Sequence, residues 1–206
     1  MSDINLHDDI LVDIVRRVGR ENFLFLGPIM ESGRRGLTAV RNEVVLYETN
    51  LLHFIANGDQ VREGAPYRGL FVRCLESGNE IAYLLESLRV AYNEGNVFKA
   101  INLVRRAYMR SLLTVFILGM LLICAGSFTI GDQILRALHW WEDVHQFNLL
   151  GAMVYGMIEK LDPPRRSTFT AIFRCDQTAC GCEGEWFGSC MRCCVQYNAM
   201  ELMSLS

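Results

Sequence analysis

The chain has 206 residues, 51% of them hydrophobic and 21% charged, with a formal net charge of −3. This composition excludes intrinsic disorder and collagen-like structure, and it supplies ample apolar surface for a core. Twenty basic against 23 acidic side chains, with no basic block in either half, exclude a nucleic-acid binder that relies on a basic domain.

Residues 1–13 are acidic and lack the basic-then-apolar order of a secretory signal, so none is expected. From Asp8 to Val18 the apolar positions Ile10, Leu11, Ile14, Val15 and Val18 fall on one helical stripe. Asp8, Asp9 and Asp13 come early and Arg16 and Arg17 late, an order that suits the helix dipole, and Gly19 reads as the stop. Phe23–Leu26 is a second apolar cluster. Pro28 cannot sit inside a regular helix, so a short helix is expected to begin there and run to Ser32. Residues 33–36 read as a basic turn, after which Leu37, Val40, Val44, Val45 and Leu46 resume the apolar pattern.

Asn57, Gly58 and Asp59, then Gly64 and Pro66, break the chain again and mark the preferred domain boundary. Beyond it the pattern predicts helices over 68–76, 79–92, 96–108, 111–124, 131–140 and 143–160. Short turns rich in Gly and Asn separate them, as antiparallel helical hairpins require. Weak internal similarity, including Gly119-Met120 and Gly156-Met157, leaves a helical solenoid and an irregular bundle both open.

Residues 111–131 carry no charge, a length that could cross a bilayer. Arg105, Arg106 and Arg110 on one side and Asp132 on the other fit a positive-inside orientation. Gly126 and Ser127 nevertheless read as a turn, which ends the helix near Ala125 and favours a buried central helix over a span. His139 and His145 bracket Trp140 and Trp141 but do not share a helical face, so a metal pair is not expected. This stretch reads as a helix junction with aromatic anchors. Pro163 and Pro164 open an extended linker.

Eight cysteines are unevenly placed. Cys74 and Cys124 lie alone in apolar helical segments and read as buried, inert thiols. Cys175, Cys180, Cys182, Cys190, Cys193 and Cys194 cluster near the end of the chain. Without a secretory signal the cluster favours thiolate metal ligands, reduced thiols or disulfides remaining as alternatives. Cys190 and Cys193 form a pair at zinc-knuckle spacing. The other two ligands of one structural zinc would come from Cys175, Cys180 and Cys182, and spacing does not choose between them. No phosphate loop, dinucleotide fingerprint, zinc-protease motif or nucleophile elbow occurs, and no catalytic residue is assigned.

The first 50 residues resemble an F-box. The family's opening pattern matches Leu6-His7-Asp8-Asp9-Ile10-Leu11-Val12-Asp13-Ile14-Val15-Arg16-Arg17-Val18, with His7 where the family has proline. Phe23, Leu26 and Ile29 follow, then Ser32-Gly33-Arg34, with Gly33 where the family has cysteine. In the middle region Arg73-Cys74-Leu75-Glu76, Asn79, Ala82-Tyr83 and Glu86-Ser87-Leu88-Arg89 look like a family of plant F-box-like proteins. Its members join an F-box to a Sel1/TPR-like helical region and a Cys-rich tail.

The resemblance implies an all-α chain: an F-box-like module over 1–56, a helical-repeat-like region over 57–162, and a linker with an irregular Cys-rich tail over 163–206. It implies a non-catalytic substrate receptor of an SCF-type ubiquitin ligase, in the cytoplasm or nucleus. Such a receptor would dock on a Skp1-like adaptor within a cullin complex and hold an unknown target protein. Candidate adaptor contacts are Leu6, Ile10, Leu11, Ile14, Val18, Leu26 and Ile29, some of which must instead pack within the module. The alternatives are a helical interaction scaffold with a degenerate F-box, and a small membrane-anchored protein.

Overall fold

A computed structural model describes residues 7–138, 144–164, 169 and 191–206. The protein is all-α, with no strand among the described residues. Its helices are α1 (Asp8–Glu21), α2 (Leu26–Glu31), α3 (Arg34–Val40), α4 (Glu43–Glu48), α5 (Leu52–Ala56), α6 (Arg68–Glu76), α7 (Glu80–Tyr92), α8 (Val97–Arg106), α9 (Leu112–Cys124), α10 (Phe128–Arg136), α11 (Val144–Leu161) and α12 (Met191–Ser204). The chain divides into two compact units at Tyr83/Leu84, within α7. The Asn57–Pro66 segment lies inside the first unit.

In the first unit, α1 continues past Gly19, which is buried inside the helix instead of ending it. The helix stops because the next backbone groups find partners elsewhere: Gly19 C=O accepts from Asn50 N–H at 2.8 Å, and Phe23 N–H donates to Asn50 C=O at 3.3 Å. The short helix α2 starts at Leu26, two residues before Pro28, which occupies the first turn where its missing N–H costs nothing. The expected basic turn at 33–36 is instead the start of α3, with Gly33 as its N-cap.

One core of this unit holds Val15, Leu26, Ala39, Val40 and Val45. An aromatic cluster forms another: Phe23 stacks on Phe54 with ring centroids 4.6 Å apart, and Phe54 meets Phe71 edge-on at 5.6 Å. Full burial of each ring stabilises by about 1.5–3 kcal/mol. Because Phe71 belongs to α6 and Val61 is also buried, the glycine-rich segment between α5 and α6 is held within this unit.

The second unit is built around α9. Ser111 and Thr114 form a reciprocal capping box at its start. Every residue from Thr114 to Cys124 is buried, as expected for a helix apolar on all sides at the centre of a bundle. Helices α8, α10, α11 and α12 pack on it. It ends at Cys124 in a Schellman turn: Gly126 N–H donates to Ile123 C=O and Ser127 N–H to Leu122 C=O, with Gly126 at φ 86°. The same motif, with Gly78 at φ 85°, ends α6.

Among the described residues no helix is long and apolar enough to cross a membrane. The 13 residues of α9 rise about 20 Å, against the ~30 Å of a hydrocarbon core.

The end of the chain departs from the irregular tail expected. Residues 191–204 form α12, whose stripe of Cys194, Val195, Asn198, Ala199 and Leu202 is buried. The sequence there has neither Gly nor Pro to break it. Asn198 lies against Gly151 of α11 where a Cβ would clash, and its amide donates to Asn148 Oδ1 at 3.0 Å and to Cys194 C=O at 2.9 Å.

Candidate adaptor interface

The candidate contacts sort by their position around α1. Val15 and Gly19 face inward and are sealed. Leu11, Val12 and Val18 lie at the boundary, half-buried against the core of the first unit. Ile10 and Ile14, one helical turn apart, are 52% and 45% exposed. Positions i and i+4 share a face, so these two side chains form an apolar ridge in water.

Beyond α1, Phe25 is 57% exposed, whereas Leu26 is fully buried. That removes Leu26 from the candidate contacts: its side chain belongs to the same core as Val15 and has no surface to offer. Ile29 is half-buried against that core. Leu6 lies outside the described residues.

The ridge is flanked by charge. Asp13 binds Arg16 at 2.6 Å and Arg17 at 2.9 Å, while Arg20 reaches Glu48 of α4 at 2.9 Å. Arg35 of α3 binds Asp8 at 2.7 Å beside a cleft of about 380 Å³ between α1 and α3. Exposed pairs of this kind contribute little stability, about 0–1 kcal/mol each. They set the sign pattern beside the ridge.

His7 holds the N-cap position of α1 with φ −61°, and its side chain makes no capping bond. That angle is close to the φ that proline enforces. The helix therefore starts in a backbone conformation that a proline would also adopt.

The middle motif is structural. The Asn79 amide donates to the carbonyls of Leu46 at 3.2 Å, Tyr47 at 3.0 Å and Thr49 at 2.8 Å, and its oxygen caps α7 by accepting from Ala82 N–H at 3.2 Å. Within the second unit, Arg89 is buried and forks onto Glu86 at 2.8 and 3.0 Å, and it also binds Glu94. The hydrogen bonds that Arg89 donates to Glu86 hold the guanidinium pKa above its ordinary value against the opposing cost of burial. Burial pushes the Glu94 carboxyl up, but hydrogen bonds from Arg89 and Lys99 outweigh it and hold the group below its usual range. None of this network was read from the sequence, because nothing in the linear pattern marks which charged residues of α7 turn inward.

Cys74 and Cys124 are buried, as expected, and burial pushes both thiols up to about 12, so neither is a thiolate at neutral pH. Of the candidate zinc ligands, Cys193 is half-buried in the first turn of α12. Cys175, Cys180, Cys182 and Cys190 lie outside the described residues. So do His139, Trp140 and Trp141.

Comparison of the chain with protein-family models, with curated proteins and with solved structures gives no match.

Proposed function

We propose that the chain is a non-catalytic substrate receptor of an SCF-type ubiquitin ligase. In this reading the first unit docks on a Skp1-like adaptor within a cullin complex, and the second unit holds a target protein. The observation that carries it is the ridge of Ile10 and Ile14. An amphipathic helix that has already sealed Val15 and Gly19 keeps two branched apolar side chains in water one turn apart, which is the geometry of a helix offered to a partner's groove. Leu11 and Val18 at its margins and Ile29 on α2 would widen the contact. The cysteine cluster enters this reading as one structural zinc on four of Cys175, Cys180, Cys182, Cys190 and Cys193, for which metal analysis of the purified chain is the test.

Co-expression with a Skp1-like protein and pull-down decides the adaptor role. The unaltered chain is expected to retain the adaptor, and Ile10→Asp and Ile14→Asp each to weaken retention about tenfold or more, the scale of an apolar anchor at an interface. Both side chains are exposed, so the variants are expected to fold with stability changed by no more than about 0.5 kcal/mol. Failure of the unaltered chain to retain the adaptor, or equal retention by both variants, would leave the helical interaction scaffold as the reading.

A further inference from the structure

The chain draws its positive charge almost entirely from one side chain: of its 20 lysines and arginines, 18 are arginine and only two, Lys99 and Lys160, are lysine. Lysine is ordinarily among the commonest residues of a globular protein. Stability does not account for the imbalance. Arg17, Arg20 and Arg136 sit half or more exposed in pairs with Asp13, Glu48 and Asp132, and an exposed pair contributes little whichever cation makes it. What arginine lacks is an amine. Its guanidinium stays protonated and is no nucleophile, whereas the lysine amine is the acceptor in ubiquitin transfer.

The two lysines stand differently within the second unit. Lys99, in the first turn of α8, places Nζ 3.1 Å from Glu94 Oε2, and Glu94 is itself held by the buried Arg89. An amine held there must leave its carboxylate before it can reach a donor. Lys160, in the last turn of α11, is exposed, and among the described residues nothing hydrogen-bonds or ion-pairs with its amine.

The backbone beneath Lys160 is anchored: Leu161 is fully buried, and its C=O accepts from Asn93 Nδ2 at 3.0 Å. A helical side chain leans back over the preceding turn. Here that turn carries Gly156 at i−4, with nothing within 4 Å of where a Cβ would stand. Lys160 therefore rises from a low, open stretch of an ordered helix, which a bulky donor can approach.

We propose that Lys160 is the acceptor through which the chain is itself joined to ubiquitin, and that arginine at the other cationic positions confines the reaction to it. The neutral Lys160 amine attacks the thioester carbonyl that links the C-terminal glycine of ubiquitin to a conjugating enzyme. The carbon–nitrogen isopeptide bond forms, the carbon–sulfur bond breaks, and the enzyme's thiol leaves with the proton that the amine gives up. This rests on the receptor reading for what brings such a thioester to the chain. A receptor held beside one while its target is modified is open to the same transfer, and a surface almost without amines limits it.

The test expresses the full chain with a Skp1-like protein in eukaryotic cells under proteasome inhibition and maps the Gly-Gly remnant on lysine by mass spectrometry. Lys160 is expected to carry about three- to fivefold more remnant than Lys99, the bias that an exposed ion pair holding Lys99 gives. Lys160→Arg is expected to lower the conjugated fraction about threefold or more, and Lys99→Arg to leave it nearly unchanged. Glu94→Gln, which releases Lys99, is expected to raise the remnant there severalfold. Arg41→Lys and Arg105→Lys, both at exposed positions, are expected to add remnant at positions 41 and 105. No remnant on Lys160, or equal remnant on the two lysines as an unfolded chain would show, would overturn the proposal. So would an undiminished conjugated fraction in the Lys160→Arg chain, or no gain at both new positions. The two readings fail apart: loss of the adaptor in pull-down with Lys160 still conjugated sinks the receptor and keeps the acceptor, whereas a retained adaptor with Lys160 bare sinks the acceptor alone.

Discussion

Asn79 turns both ends of its side-chain amide onto backbone groups, capping α7 and closing carbonyls at the end of α4. Leu46 and Tyr47 belong to the last turn of α4, where carbonyls have no intrahelical partner. The Asn79→Ala chain loses a cap worth about 1 kcal/mol and strands buried acceptors at a further cost of about 1–2 kcal/mol. Urea unfolding followed by circular dichroism is expected to show a loss of about 2–3 kcal/mol in total; a loss under ~0.5 kcal/mol, the range of a plain surface substitution, would refute the role. The position was legible in the sequence as a turn residue after Gly78. Its acceptors were not, because they lie thirty or more residues away along the chain and no local rule connects them. Leu26 failed for a related reason: periodicity places a residue on an apolar face but does not say whether that face meets its own core or a visitor.

At the scale of elements, the six helices expected from 68 onward are all present, and the first, Arg68–Glu76, keeps its expected bounds. Their stripes are long enough for the period to outweigh composition. The short helices near the start were harder. A glycine read as a stop or a turn, as Gly19 and Gly33 were, can equally mark a close approach or a helix N-cap. Helix α10 begins at Phe128, three residues before the expected start at Gly131. Gly131 lies inside the helix, where its Cβ would stand 2.7 Å from the carbonyl oxygen of Gly119 in α9 and 2.6 Å from the Ile123 side chain. Backbone cannot yield as a side-chain tip can, so Gly131→Ala is expected to destabilise by about 1–3 kcal/mol, opposite in sign to the ordinary helix propensity of alanine. Gly156 in α11 has nothing within 4 Å of the same position, and Gly156→Ala should gain about 0.4–1 kcal/mol. Thermal unfolding of the two variants side by side checks the pair; equal shifts would mean that α9 and α10 do not pack backbone to backbone. Gly119 and Gly156, which the sequence sets in similar dipeptides, thus stand in different surroundings.

For the whole molecule the decisive element is α9, because its composition alone fits both a bilayer and a protein core. What separates these is the identity of the surroundings. Phe116 meets Phe147 of α11 edge-on at 5.0 Å, and α8, α10 and α12 cover the remaining faces. The sequence pointed the same way through Gly126 and Ser127, which shorten the helix, but the covering helices themselves were only partly legible, α12 having been read as irregular. In a close-packed core, truncating a buried side chain removes transfer energy and leaves a cavity, so Leu118→Ala is expected to cost about 3 kcal/mol. That is a large fraction of the roughly 5–15 kcal/mol that holds a domain of this kind together. Leu118 is 2% exposed and Leu112, at the start of the same helix, is 49% exposed. Leu112→Ala is therefore the matched control, with an expected loss of no more than about 0.5 kcal/mol. Urea unfolding of both variants in detergent-free buffer measures the difference. Similar small losses at the two positions would mean that α9 is not enclosed by its own chain, and the apolar stretch would then have to be explained by lipid or by another protein.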